Sequence, residues 1–230
     1  VSNASQAATT AAFLHVGDDL SLPTLLVASL RKAMPSTRVV QLSDKTTAAV
    51  PGVDDTVRRD WDGTRLMSFR LEHYAALPEA SWLLLDTDMI VQADVSVVFE
   101  MDGRFDVAMH RRESTIVRPP AWEEFPELLG QDLASFMPYN TGVIFSRSAR
   151  FWAVARQRLA GLEARYHRWF GDQVAVRMAL ETGDFRALDL HPAFNYTPQE
   201  EHDDVRRAYI VHYKGKRKAW MLARHAGGAA

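Results

Sequence analysis

The run Trp82-Leu83-Leu84-Leu85-Asp86-Thr87-Asp88 constrains this chain more than any other stretch. Four large apolar residues in succession are apolar on both faces of a strand, as an interior strand of a parallel sheet requires. Side chains alternate along an extended backbone, so Asp86 and Asp88 are expected on one face and Thr87 on the other. Ligands of open α/β sheets sit beyond the carboxyl ends of such strands. Two close carboxylates repel by roughly 4 kcal/mol at an effective dielectric near 20. A pair held at a strand end therefore asks for a cation or a shared proton. The plain alternative is a polar strand exit with solvated carboxylates.

The chain carries its own control. Asp60-Trp61-Asp62 repeats the acid spacing, but it follows Arg58-Arg59, precedes Gly63 and has no apolar strand before it. It reads as a surface turn whose acids nearby arginines satisfy.

At 230 residues the chain is long enough for one large α/β domain and short for two. A net charge of -2 gives no basic field for nucleic acid. There is no cysteine, which excludes disulfides, thiolate metal sites and cysteine nucleophiles and is compatible with a cytoplasmic location. No apolar stretch reaches the ~20 residues of a membrane span. Residues 1–10 read as a tag remnant, from Ser2-Asn3-Ala4, and a disordered start with no secretory signal. Residues 223–230 read as a loose tail.

Ala11 to Val16 reads as a first buried strand, ended by Gly17-Asp18-Asp19. Pro23 suits the first turn of a helix running to Ala33, and Arg38 to Leu42 reads as a second strand. Strand, helix, strand is a right-handed crossover unit, hence an α/β protein. Residues 50–63, rich in Pro, Gly and Asp, read as a loop, and Leu66 to Leu77 as a helix stopped by Pro78. Phe105 to Met109 is a strand candidate. Residues 111–138 are irregular, with Pro119-Pro120, Pro126, Pro138, Trp122, Phe125 and Phe136, and have the length of a functional flap that touches an acceptor. Val143 to Phe145 reads as a short strand after the Asn140-Thr141-Gly142 turn. Phe151 to Tyr166 and Asp172 to Leu180 read as helices, and Arg186 to Leu190 and Tyr209 to His212 as late strands.

The last of these opens the block His212-Tyr213-Lys214-Gly215-Lys216-Arg217-Lys218-Ala219-Trp220, an imidazole, a glycine and a cluster of cations. In order along the chain stand Gly-Asp-Asp, Phe69-Arg70-Leu71, Leu-Asp-Thr-Asp, Tyr-Asn-Thr-Gly, Gly-Asp-Gln and this block. The ordered set resembles family eight of the retaining glycosyltransferases, which includes glycogenin and bacterial lipooligosaccharide galactosyltransferases. The resemblance runs from about residue 11 to residue 220.

The resemblance implies one GT-A domain over residues 11–222, a Rossmann-like, mixed but mostly parallel sheet flanked by helices. It implies a manganese site, or magnesium in its place, on the Asp-x-Asp motif: Asp86, Asp88 and His212. Two hard carboxylates and an imidazole suit a six-coordinate manganese. Donor contacts would come from Gly17 and Asp18 at the nucleoside, Arg70 and Asp86, Asn140 and Gly142 beside the sugar, and Gly215 and Lys218 at the diphosphate. Asp172 and Gln173 would be the catalytic pair at the sugar, although Asp172 is also well placed to cap a helix. The implied partners are a UDP-hexose donor and a carbohydrate or glycolipid acceptor, met in the cytoplasm or at the inner membrane surface. Gln173 is a poor nucleophile, which favours same-face attack over a covalent intermediate. Two departures stand out: Ala219 replaces the family's usual proline, and Leu20 sits where bacterial members often carry a polar nucleoside contact. Two other classes compete. One is a haloacid-dehalogenase-like phosphatase, from the apolar strand and Asp-Thr-Asp. The other is a non-catalytic nucleotide-sugar binder.

Overall fold

A computed structural model describes residues 9–101, 105–118 and 124–225. Trp122, Pro119 and Pro120, and residues 1–8 and 226–230, lie outside the described residues. The chain opens with β1 (Thr10–Leu14), α1 (Ser21–Ala33), β2 (Arg38–Asp44) and β3 (Asp55–Arg59). Then come α2 (Leu66–Ala75), β4 (Trp82–Leu85), β5 (Met89–Val91), α3 (Val98–Met101) and β6 (Val107–Arg111). Next come α4 (Leu133–Phe136), β7 (Tyr139–Ser146), α5 (Ala149–Ala160), α6 (Ala164–Arg168) and α7 (Gly171–Leu180). The chain continues through β8 (Ala187–Asp189) and β9 (Ile210–His212) to α8 (Lys218–His225). The last helix thus runs three residues past 222, where the sequence reading placed the domain end.

Seven strands form one sheet in the order β3-β2-β1-β4-β7-β6-β8. β3, β2, β1 and β4 are parallel, β7 runs antiparallel between β4 and β6, and β8 is parallel to β6. The sheet is mixed and mostly parallel, as the sequence implied. β4 sits at its centre and is buried throughout. Its alternation divides the core. Trp82 and Leu84 join Leu71 and Tyr74 of α2 and Phe151 and Trp152 of α5 on one face. Leu83 and Leu85 join Leu26 and Leu30 of α1 on the other. A run apolar on both faces is the sequence signature of this two-sided burial.

Beyond the end of β4 the chain turns through Asp86-Thr87-Asp88 into β5. β5 pairs antiparallel with β9 in a separate two-stranded sheet, with Met89 opposite His212. Asp86 and Asp88 therefore sit in a turn between two sheets and not on a continuing strand.

Three stretches differ from the sequence reading. β3 lies inside the expected loop of residues 50–63. It is an edge strand, with Val57 36% exposed, and its Asp-Thr-Val-Arg-Arg sequence has no buried face to betray it. Asn140-Thr141-Gly142 is not a turn but the buried first half of β7, paired across a bulge with His110 and Arg111 of β6. The single helix expected from 151 to 166 breaks at Gly161 into α5 and α6. Ser148 caps the first of these, its Oγ accepting from the Phe151 N–H at 3.2 Å.

His73 on α2 is only 1% exposed and packs edge-on against Phe69. Burial, helped by the charge of Arg59, pulls its pKa from 6.5 down to about 4. Between those values the unfolded chain binds a proton that the folded protein refuses. The contribution to stability is full above pH 6.5 and is lost as the pH falls toward 4, by at most ~3 kcal/mol. His73→Phe removes this titration. Denaturant unfolding at about pH 7 and about pH 4.5 should show a smaller acid-induced drop in the variant, and equal drops would refute the assignment.

Candidate active site

A cleft of about 650 Å³ opens where β1 and β4 end, walled by β7, the start of α7 and the block after β9. Asp86, Asp88 and His212 meet on its floor, each offering a ligand atom within 4.8 Å of the others. Nε2 of His212 is 3.3 Å from Asp88 Oδ1 and 3.8 Å from Asp86 Oδ2. The β5–β9 ladder explains the meeting. Met89 pairs with His212, and the Tyr213 N–H donates to the Asp88 carbonyl at 2.8 Å.

The protonation of this corner follows from its contacts. Burial pulls the His212 pKa below its ordinary value, against the opposing pull of Asp88. Burial pushes the Asp88 carboxyl up, but a protonated His212 ring and the charge of Lys218 outweigh it and hold the carboxyl below its usual range; once the buried ring has lost its proton, Lys218 is the counter-charge that stays. Of this pair Asp88 carries the charge and the buried imidazole is the neutral partner. Its Nδ1 faces the Asn195 side-chain oxygen at 2.9 Å, so the ring proton belongs on Nδ1. Nε2 then turns a bare lone pair toward two carboxylates. Two carboxylates and an oriented histidine are a donor set that could hold a divalent metal. The three residues fit such an ion.

Gly142 makes room for that ring. A Cβ there would stand 2.5 Å from His212 Cε1 and 2.9 Å from Nδ1. Asn140, two residues before it, accepts from the Gly142 N–H at 2.9 Å and borders the cleft.

Arg70 reaches in from α2. Its guanidinium pairs with Asp86 and with Asp172, the latter at 2.8 Å. Burial alone would lower its pKa, but Tyr74, Asp172 and Asp88 outweigh that and keep it charged. Asp172 does not cap α7. It lies inside the helix, 2% exposed, with Oδ2 accepting also from Thr141 Oγ1 at 3.0 Å. Its Oδ1 is buried without a partner among the described residues, an unsatisfied acceptor on a residue that lines the cleft. Gln173 beside it accepts from the Arg112 guanidinium.

The turn that delivers this pair is tightly specified. Phe170 adopts φ 41, left-handed for a non-glycine, while its ring is 2% exposed and packs 4.3 Å from Phe125. At Gly171 a Cβ would fall 2.1 Å from the Tyr166 carbonyl oxygen, so no other residue fits. Phe125 of the expected flap is thus a core residue, fully buried.

Lys218 opens α8, half exposed, with Nζ 3.5 Å from Asp88 Oδ2. Gly215 takes φ +65 at the turn before it, a conformation that favours glycine, and has open space where a Cβ would stand. Gly17, at φ +106, donates its N–H to Thr47 Oγ1 at 2.8 Å. Gly17 and Asp18 are exposed and stand just past the lip; Leu14, His15 and Val16 line the cleft in that region.

Asn195 and Arg112 were not singled out by the sequence reading. Asn195 belongs to no spacing pattern, and Arg112 stands at the start of an irregular segment. The sequence gives Lys214 no role of its own beyond the cation cluster after His212. It lines the cleft, with its pKa pulled down to about 8 by burial and by the charges of Arg112 and Arg217. The control motif lies in a loop as read, with one acid met by an arginine and the other by a lysine. Asp62 pairs with Arg65 at 2.5 Å, and Asp60 pairs with Lys45 at 2.7 Å.

No protein-family profile matches this chain, and no curated protein matches it. Solved structures do. An apo structure of the bifunctional glycosyltransferase WbbM superposes at TM-score 0.58 and 13% identity, over 94% of this chain and 47% of its own. The galactosyltransferase LgtC, solved with donor and acceptor sugar analogues, superposes at TM-score 0.55 and 15% identity, over 95% and 94%. A glycosyltransferase involved in glycosylation of the major capsid of PBCV-1 gives TM-score 0.61 at 14% identity, over 96% and 99%. The chain spans about half the length of WbbM. At these identities the likeness is one of fold, the GT-A fold of glycosyltransferases.

Gly142→Ala should push the His212 ring off the acid pair while the strand around it persists. Calorimetric titration with manganese chloride should then show affinity weakened by about tenfold or more. Unchanged affinity would remove His212 from the ligand set.

Proposed function

We propose that this protein is a metal-dependent retaining glycosyltransferase that moves a hexose from a nucleoside diphosphate sugar to an acceptor hydroxyl. The observation that carries the reading is the convergence of His212 Nε2 with Asp86 and Asp88 on the floor of the cleft. The shared fold supports it, as does the ordered set of motifs that resembles family eight. The donor is assigned as a UDP-hexose through that resemblance.

Asp86, Asp88 and His212 would hold a manganese ion, or magnesium in its place. Bound there, the ion supplies positive charge to a departing diphosphate. Lys218, beside Asp88, adds a mobile ammonium on the same side. Arg70 is not free to swing, because Asp86 and Asp172 hold it. It keeps Asp86 aimed at the metal corner and contributes its charge from a fixed place. Asp172 offers its unpartnered Oδ1 to a hydroxyl of the donor sugar. Gln173, oriented by Arg112, lies on the same side as Asp172 and steadies positive charge building on the sugar. Asn140 and Gly142 border that sugar. Gly215 shapes the turn that carries Lys218, and Gly17 and Asp18 at the lip would close over the nucleoside.

Gln173 cannot serve as a carboxylate nucleophile of the kind retaining hydrolases use. We therefore assign same-face attack, with a donor phosphate oxygen taking the acceptor's proton. The phosphatase alternative needs Asp86 open as a nucleophile, whereas Asp86 is paired with Arg70. A carbohydrate or glycolipid acceptor fits the open cleft. Among the described residues no helix is long and apolar enough to cross a membrane. We place the reaction in the cytoplasm, where a glycolipid would be met at the inner membrane surface.

The test is a panel of UDP- and GDP-hexoses, scored for hydrolysis with manganese and with a chelator. At least one donor should be hydrolysed only with the metal. Asp88→Asn should lower that rate by about 100-fold or more. A wild-type protein that hydrolyses none, or a variant at near-normal rate, would overturn the reading.

A further inference from the structure

A second cavity, of about 300 Å³, adjoins the donor cleft. Arg112, Asn140 and Lys214 line both, so these three form the wall between them. Tyr196 and Pro192 give the second cavity flat apolar surfaces. Its volume lies at the lower end of the range for small-ligand sites.

The two cations in the shared wall feel the charges of Asp172 and Asp88 but contact neither acid. Elsewhere in the cleft Arg70 pairs with Asp86 and Asp172, and Lys218 with Asp88, while Arg217 donates to the Gln199 side-chain oxygen. Among the described residues no carboxylate lies within ion-pair distance of Arg112 or Lys214. Glu113, the one acid lining the second cavity, is exposed and pairs with neither. Arg112 spends one guanidinium nitrogen on Gln173, and its Nε is buried without a partner among the described residues. Like charges held side by side raise each other's free energy, and an arriving anion reverses that. A wall built for neutral sugar hydroxyls alone would carry amides and carboxylates. A guanidinium fork beside an ammonium is the donor set for phosphate or carboxylate oxygens.

We propose that this second cavity is the acceptor subsite and that it takes an anionic acceptor, one whose phosphate or carboxylate is gripped by Arg112 and Lys214. The inference rests on the transferase reading and deepens it. The anion would anchor the acceptor against the shared wall, and Asn140 would separate it from the donor sugar. Because Arg112 also orients Gln173, Lys214 is the cleaner position to vary.

The experiment is calorimetry on the protein saturated with UDP and magnesium, which fills the donor cleft. The probes are inorganic phosphate, methyl glucuronide and neutral methyl glucoside, at low ionic strength, on wild type and Lys214→Gln. An anion should bind the UDP-loaded protein, and Lys214→Gln should weaken it about tenfold while its UDP affinity stays within about twofold of wild type. Tighter binding of phosphate than of the glucuronide assigns a phosphorylated acceptor; the reverse assigns a uronic acid. Three results would overturn the inference: no anion binding, equal binding by the variant, or displacement of the anion by UDP. The last would give both cations to the donor diphosphate. Failure of UDP to bind with the metal strikes instead at the transferase reading, and the acceptor assignment falls with it.

Discussion

The register of two three-residue strands holds the site together. Met89 opposite His212 places residues more than a hundred positions apart in sequence across one ladder. Slip that register by one residue and the imidazole turns to the opposite face of the small sheet. The ladder is too short to be stable alone. It is backed by Val211 and Tyr213, fully buried with Ile90 and Met221 in a small cluster of their own. Burial of that cluster is therefore what fixes the histidine beside the acids.

The cleft is also divided by charge. Asp86, Asp88 and Asp172 lie toward the end of β4 and the start of α7, with Arg70 buried among them. Breaking one side of so buried a pairing leaves an uncompensated charge and costs about 3–5 kcal/mol in general. Arg217 and Lys218 line the opposite wall. A cation is drawn to the first side and phosphates to the second. A metal–diphosphate complex satisfies both at once, which neither component does alone.

Much of this frame was legible in the sequence because it rests on local signals. The Trp82-to-Leu85 run announces a central strand through unbroken apolarity, and the Asp60-Trp61-Asp62 control fails for want of one. The same logic explains the misses. β3 buries almost nothing, so no periodicity marks it. Asn140-Thr141-Gly142 is polar yet strand, because its side chains serve the cleft and not the core. Gly161 ends a helix that apolar spacing would have continued. Asn195 bonds the His212 ring, and that role is visible only once the chain is folded. The metal-site residues were named through resemblance to a family. The coordinates bring Asp86, Asp88 and His212 together, and they leave Gly17 and Asp18 at the lip.

The turn before α7 shows how the core reaches into the chemistry. Left-handed backbone at a non-glycine residue costs of order 1–3 kcal/mol. Phe170 accepts it because its ring is clamped by Phe125 and Tyr166. Tyr166 in turn supplies the carbonyl that leaves space for nothing larger than Gly171. Relaxing Phe170 to a right-handed backbone would swing the first turn of α7, and Asp172 would leave Arg70. Arg70 would then be free of one of the two acids that fix it, and Asp86 would lose its aim at the metal corner. The aromatic cluster under residues 124–170 is thus mechanically continuous with the metal corner, through one strained residue, one glycine and one buried arginine.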